Sequence, residues 1–314
     1  MAFFLRRLIG LIATIFGISL VIFAVMNVLP GDPALTVLGI ESTEDARAAL
    51  RDQLGLEAPV WQRYLGWLSG LVQGDFGTSY SFRVPVSDLI FERLPLTLSL
   101  GVFATVLTVT LAVLLGLFAA SNHNKPGDWV TMILSQLGIA IPAFWLSILL
   151  VLLFSVHLRW LPPGGFPGWS DPLAALQSLI LPTAALALVQ SAVLARVTRA
   201  SVLEVMRLDY ARTARALGLS RWRVLFRHVL PNALIPMVTI IGMQLANLIT
   251  GTIVIENVFF LPGLGRLLFQ SISNRDLLTV QALVMLFALI VVVISFVVDM
   301  LYLLIDPRLR DART

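Results

Sequence analysis

The amino-acid sequence predicts an all-α integral membrane protein with six transmembrane helices. Hydrophobic residues make up 58% of the 314-residue chain and charged ones 13%, with a mean hydropathy of +0.91. A soluble domain holds roughly 45–50% apolar and about 25% charged residues, so this little charge cannot cover a water-facing particle. The apolar residues gather into six runs, each near the roughly 20 residues that a helix needs to cross about 30 Å of hydrocarbon. The same composition excludes disorder, because this much apolar surface must be buried. The absence of cysteine excludes a disulfide framework and thiolate metal sites. A net charge of +4, unevenly placed, does not argue for nucleic acid.

The runs are Leu8–Leu29, Leu96–Ala120, Trp129–Phe154, Leu179–Ala195, Pro231–Ile255 and Leu277–Ile305. The first two carry no charge. The first leads into Leu29-Pro30-Gly31-Asp32-Pro33 without a small-residue cleavage site, so an uncleaved anchor is expected rather than a signal peptide. The third is interrupted by Gly138 and Pro142, and the fourth is short and holds Pro182, Gln190 and Ser191. The fifth contains Pro236, Gly242, Gln244, Asn247 and Gly251, and the sixth has Asp299 near its end.

An even number of spans puts both termini on one side. That side collects 14 of the 22 basic residues, eight of them in 196–230, and the other side eight. By the positive-inside rule both termini are read as cytoplasmic. The chain then divides into a cytoplasmic N-terminus with the first span (1–29), an external segment (30–95), spans two to six (96–305) with a cytoplasmic loop at 196–231, and a cytoplasmic tail (306–314). The external segment carries nine acidic and five basic residues. Thr43–Leu54 reads as a helix, with Ala46, Leu50 and Leu54 on one face. Trp61, Tyr64, Leu65 and Leu68 suggest a second amphipathic stretch, and Gly74–Tyr80 a turn-rich loop. A lid packed on the spans and a substrate-contacting surface are both compatible with this pattern.

Several chemistries have no residues to perform them. The only lysine, Lys125, is not in a phosphate-binding loop, so no ATP site of that kind exists in the chain. His123, His157 and His228 stand in separate loops, and neither a zinc motif nor a nucleophile elbow occurs. No catalytic or metal-binding residue and no cofactor is therefore assigned. Glu256 and Asp299 lie toward span ends, where an interfacial or packing role is expected rather than an ion relay. The chain reads as a pathway without its own source of energy.

Residues 196–231 differ from the rest. Leu203, Met206, Tyr210, Ala214 and Leu217 share one face at helical spacing, with Glu204/Arg207 and Asp209/Arg212 on the polar side. Gly218 is placed to end that helix in the left-handed conformation, and Ser220 to cap a second one presenting Trp222, Leu225, Phe226 and Val229. Pro231 is expected to break the second helix before the fifth span. Two short helices joined at a glycine suit a mechanical contact; a basic loop that fixes topology or lies on anionic lipid is the alternative.

The segment Arg212-Thr213-Ala214, Gly218, His228-Val229-Leu230-Pro231 resembles the EAA loop of importer-type ABC transporter permeases, E-A-A-x3-G-x9-I-x-L-P. The spacing agrees throughout; Arg212, Thr213 and His228 replace the glutamate, the first alanine and the isoleucine. Nearly the whole chain is similar to the B-type permease of the dipeptide/oligopeptide/nickel family. The matching stretches are Leu29–Pro33, Gly74-Asp75-Phe76-Gly77-Thr78-Ser79, Asp209-Tyr210, Leu261-Pro262-Gly263-Leu264-Gly265-Arg266 and Asp306-Pro307-Arg308. The resemblance implies the type I ABC importer permease fold in a bacterial plasma (inner) membrane. It implies a heterodimer with a C-type permease, two ATPase subunits binding ATP and magnesium, and an external substrate-binding protein. Coupling to the ATPases falls to Asp209, Tyr210, Arg212, Thr213, Ala214, Gly218, Leu230 and Pro231. Gln190, Gln244 and Asn247 are candidates for the pathway lining, with ordinary interhelical hydrogen bonding as the alternative. The function read from this is peptide import; nickel-chelate or other small-solute import, a secondary transporter and a non-transporting scaffold are the alternatives.

Overall fold

The computed structural model describes residues 2–28, 33–39, 41–53 and 55–305. Leu29-Pro30-Gly31-Asp32, Leu54 and the tail that begins Asp306-Pro307-Arg308 lie outside the described residues. In chain order the helices are α1 (Ala2–Val28), α2 (Pro33–Leu38), α3 (Glu44–Gln53), α4 (Val60–Gln73), α5 (Val86–Ser121), α6 (Pro126–Ala140) and α7 (Ala143–Leu150). There follow α8 (Pro172–Met206), α9 (Asp209–Ala216), α10 (Arg221–Val224), α11 (Leu230–Val258), α12 (Leu264–Ser273) and α13 (Leu277–Ile305). Two π-helical segments, Val151–His157 and Leu225–Val229, extend α7 and α10.

Among the described residues five helices are long and apolar enough to cross a membrane; α6 with α7 and its π extension makes a sixth candidate, bent by 105°. The bend falls at Pro142, one of the two interruptions expected in the run Trp129–Phe154. Pro142 has no N–H to continue the helix and forces the residue before it toward extended backbone, and Ile141 lies at φ −85°, ψ 122°. The fourth span is also longer than expected. Asp171 caps its start by accepting the Ala174 N–H at 3.1 Å, Pro172 occupies the first turn, and the helix runs on to Met206.

The chain forms two compact units, Met1–Leu98 with Pro262–Val293 and Ser99–Leu261 with Ile294–Thr314, so the division falls inside α5 and α13. In the first unit, α4 lies against α1: the Tyr64 hydroxyl is 2.8 Å from Ser19 Oγ, and its ring meets Phe16 and Phe23 edge-on. Gly74, at φ 78°, ends α4. The loop beyond it is held by Asp276, which is fully buried at the N-cap of α13. Its carboxylate accepts the Ser79 hydroxyl, the N–H groups of Tyr80 and Ser81 at 3.3 and 3.4 Å, and the Thr279 hydroxyl at 2.9 Å. These donors satisfy the buried carboxylate from within the chain. Burial, and then the charge of Asp276, push the Tyr80 phenol up to about 12.

The second unit is arranged around α8, two-thirds of whose apolar window is buried. Its inward face is rich in alanine and serine, which lets neighbouring backbones come close. A Cβ on Gly116 of α5 would overlap Thr198, and one on Gly138 of α6 would stand 2.9 Å from the Cβ of Ala192. On the other side α11 packs along α8, with Gly251 facing Leu186 and Met237 sharing a buried cluster with Leu194. The loop after the π segment is fixed to the end of α11, where the Gly165 N–H donates to the Phe259 carbonyl at 2.8 Å.

Candidate functional site

The segment predicted as one amphipathic helix over 203–217 is two. Leu203 and Met206 belong to the last turn of α8. The chain turns at Arg207-Leu208, where Leu208 is extended (ψ 148°), and α9 begins at Asp209. The buried side of α9 is Ala211 and Ala214, while Tyr210 and Leu217, assigned from spacing to the same inner face, are exposed. The break at Arg207-Leu208 shifts the helical phase, so spacing counted through it selects the wrong face.

Gly218 sits at φ 82°. The Leu219 N–H returns to the Ala214 carbonyl at 3.3 Å and the Gly218 N–H to the Arg215 carbonyl at 3.0 Å, a Schellman closure of α9. Ser220 then precedes α10 in extended backbone (ψ 147°) but makes no side-chain cap. Pro231 does not break the helix, contrary to expectation. The π turn Leu225–Val229 runs directly into α11, and the Leu230 N–H bonds five residues back, to Leu225. This wider turn carries the chain past Pro231, which lacks the next donor and whose ring would meet a carbonyl of the preceding turn of a regular helix.

Ala211, Ala214, Val224, Leu225 and Val229 form one buried cluster with Val202 and Val205 of α8, Leu117 and Ala120 of α5, and Ala233 of α11. The loop is thus a seated part of the helix bundle. Arg215 fastens it further, donating from Nη2 to the Met206 carbonyl at the end of α8 at 2.6 Å. Arg215 and Arg221 also line a cavity of about 380 Å³ with Met206, Leu219 and Val229.

The outer side of the loop is mixed. Leu217 is 77% exposed and Trp222 63%, and Trp222 stacks on Phe226 at 5.9 Å. Arg207, Arg212, Arg221, Arg223 and Arg227 are exposed around them. Of the predicted coupling residues, Asp209, Tyr210, Arg212 and Thr213 lie on this outer side, Ala214 faces the cluster, Leu230 is half-buried and Pro231 is exposed. Arg212 and Asp209 stand 3.9 Å apart and both are exposed, so this pair contributes little to stability.

The pathway candidates do not share one environment. Gln244 is buried, its Oε1 without a hydrogen-bond partner among the described residues; Gln190 is half-buried and Asn247 exposed. The pairing of Gly251 with Leu186 and the cluster shared by Met237 and Leu194 set α11 antiparallel to α8, the helix that carries Gln190. Glu256 is fully buried near the end of α11 and Asp299 half-buried in α13. No group of three or more metal-ligating side chains occurs among the described residues.

Residues 112–311 match the family of binding-protein-dependent transport system inner membrane components, and residues 1–101 its N-terminal family. The chain belongs to this family of transport permeases. The glutathione transport system permease of Escherichia coli (strain K12) is 42% identical over 306 residues, covering 98% of each chain. A Brucella abortus (strain 2308) protein, provisionally named a peptide transport system permease, is 42% identical over 310 residues, covering 98% of this chain and 99% of its own. The inward-facing methionine ABC transporter matches in fold, with a TM-score of 0.53 at 20% identity over 69% of this chain and 94% of its own. These permeases are not themselves enzymes and carry no cofactor of their own.

Two clusters in this permease were not visible from sequence reasoning. Asp276 is one; an aspartate directly before an apolar run is a helix-start signal that marks it. The other joins α6 to α8. Asp128, almost fully buried, takes both Nε and Nη2 of Arg199, at 2.5 and 2.7 Å, with His123 Nδ1 at 3.2 Å and the Asn124 N–H at 3.1 Å. Its residues lie 71 positions apart, beyond any local spacing rule.

Proposed function

We propose that this chain is the transmembrane permease subunit of an ATP-driven importer of di- and oligopeptides in a bacterial inner membrane, with both termini cytoplasmic. It forms half of the pathway with a C-type permease, receives solute from an external binding protein and is driven by two ATPase subunits that hold ATP and magnesium. The carrying observation is the seating of α9 and α10 in a core shared with α5, α8 and α11, which suits a contact that must transmit force. Asp209, Tyr210, Arg212, Thr213 and Gly218 offer the contact surface, and Leu230 and Pro231 connect it to α11. Gln190, Gln244 and Asn247 supply amides to the pathway, and residues 30–95 lie on the outer side. The equal likeness to a glutathione permease supports including that tripeptide in the proposed substrate class. The test is uptake of a labelled dipeptide and of glutathione by membrane vesicles holding the neighbouring genes' products. Uptake that needs this chain, ATP and the binding protein is expected; uptake driven by an ion gradient without ATP would overturn the reading.

A further inference from the structure

The helix α4 belongs by position to the connection between two spans, yet it does not pack like a part that stands in water. Its anchor is Tyr64, whose hydroxyl reaches Ser19 while its ring touches Phe16 and Phe23. Ser19 is nine residues before the end of α1, about 13 Å of helix, close to half the thickness of the hydrocarbon layer. Beyond Ser19, α1 carries no charge, and Leu20, Val21 and Val25 are exposed. Those side chains need lipid, so a helix lying against Ser19 and Phe23 sits beside lipid as well.

The surface of α4 agrees. Tyr64 and Trp67 turn to α1, Trp67 stacking on Phe23 at 5.9 Å. Next to that face, Trp61, Leu65 and Val72 form an exposed apolar stripe within about 40° of arc. Gln62, Ser69 and Gln73 follow further round, and Ser69 answers its own hydroxyl on the Gly66 carbonyl at 2.8 Å. Arg63 lies on the opposite flank, where its charge acts on Tyr80. An apolar stripe with one polar edge and an aromatic anchor is the pattern of a helix at the lipid boundary.

We infer that α4 is seated in the bilayer leaflet at the C-terminal end of α1, with acyl chains covering Trp61, Leu65 and Val72. Through Tyr64 and Trp67, which pack on Ser19 and Phe23, the stripe adjoins the lipid-facing surface of α1, and that continuity selects lipid as the occupant. Only the name of the leaflet rests on the orientation proposed for the permease.

The absence of cysteine makes each introduced cysteine unique. Spin labels at Leu65→Cys, Val72→Cys and Ser69→Cys, in the full-length chain reconstituted into phosphatidylethanolamine–phosphatidylglycerol vesicles, report collision with oxygen or with a water-soluble nickel complex. Positions 65 and 72 are expected to favour oxygen several-fold over nickel, and position 69 to show the reverse. Free collision with nickel at 65 and 72 overturns the inference, and so does shielding from both reagents, which would assign the stripe to a protein partner. Quenching by bromoacyl lipid is a second reading without cysteine: Trp61→Phe is expected to lose part of the quenched fluorescence, and no loss overturns the seating. A membrane-impermeant maleimide on Ser69→Cys reports the side separately, so an error of orientation and an error of depth give different results.

Discussion

Arg215 donates to the main-chain carbonyl of Met206, nine residues earlier, and so ties α9 to the last turn of α8. The carbonyls at a helix end have no partner within the helix, and a guanidinium there answers both the vacant acceptor and the negative end of the helix dipole. The short helix whose outer side is exposed is therefore fastened to α8, two-thirds of whose apolar stretch is buried. Arg215→Ala removes a charge-assisted bond of about 1–2 kcal/mol. The expected outcome is normal insertion with reduced uptake per ATP hydrolysed, read by measuring both rates in the same vesicles; unchanged stoichiometry would show that the bond transmits nothing.

Gly218 takes φ 82°, where a β-branched side chain is strained by about 1–2 kcal/mol. Gly218→Val is expected to leave the permease inserted and to abolish uptake, while Gly218→Asn, which tolerates this conformation, retains most of it. Uptake by Gly218→Val at normal abundance would refute the role given to this turn.

The pair Asp128–Arg199 is a stability element. Removing the carboxylate alone leaves a guanidinium part-buried without its partner, a loss of about 3 kcal/mol in comparable pairs. Asp128→Leu is expected to lower the thermal midpoint in detergent, and Asp128→Leu with Arg199→Met to recover most of it. A double variant no better than the single one would point to His123 and Asn124 as the groups that need the carboxylate.

Orientation is tested by reporter fusions. A fusion at Leu219 is expected to read cytoplasmic and one at Gly168 external, following the 14-to-8 division of basic residues. An external signal at Leu219 would remove the coupling assignment along with the topology.

Selectivity is expected to reside outside the spans. The amides of Gln190, Gln244 and Asn247, proposed for the pathway, would bond a peptide backbone without demanding one side chain, and a tightly held solute would leave slowly. Exchanging the binding protein for a docking-competent relative of different preference should change which peptides are taken up. Persistence of the old preference would make these three residues the first to mutate.

The spans were legible because lipid imposes one strong requirement, a long uncharged run, and α1, α5 and α13 meet it plainly. Gly218 was legible because its demand is local. The inner face of α9 was not, since a two-residue interruption at Arg207-Leu208 resets the helical phase without any proline or glycine to announce it. Pro231 misled in the opposite sense: a proline forbids a regular helical bond but not a helix that widens to avoid it. The Asp128–Arg199 contact depends on how α6 meets α8, which tertiary packing decides.

The unbroken run from Arg221 through the π turn to Val258 has a leverage of its own. It holds 38 residues in a single rod, about 57 Å long if its rise were that of a regular helix. Each degree of tilt about its cytoplasmic end would sweep the other end through roughly 1 Å. Regular helical bonding is interrupted at the π turn, at Pro231 just after it and at Pro236, all in the first half of this rod. Bending of this rod would therefore be gathered near the loop, and the stretch that carries Gln244, Asn247 and Glu256 would swing as the long arm of a crank.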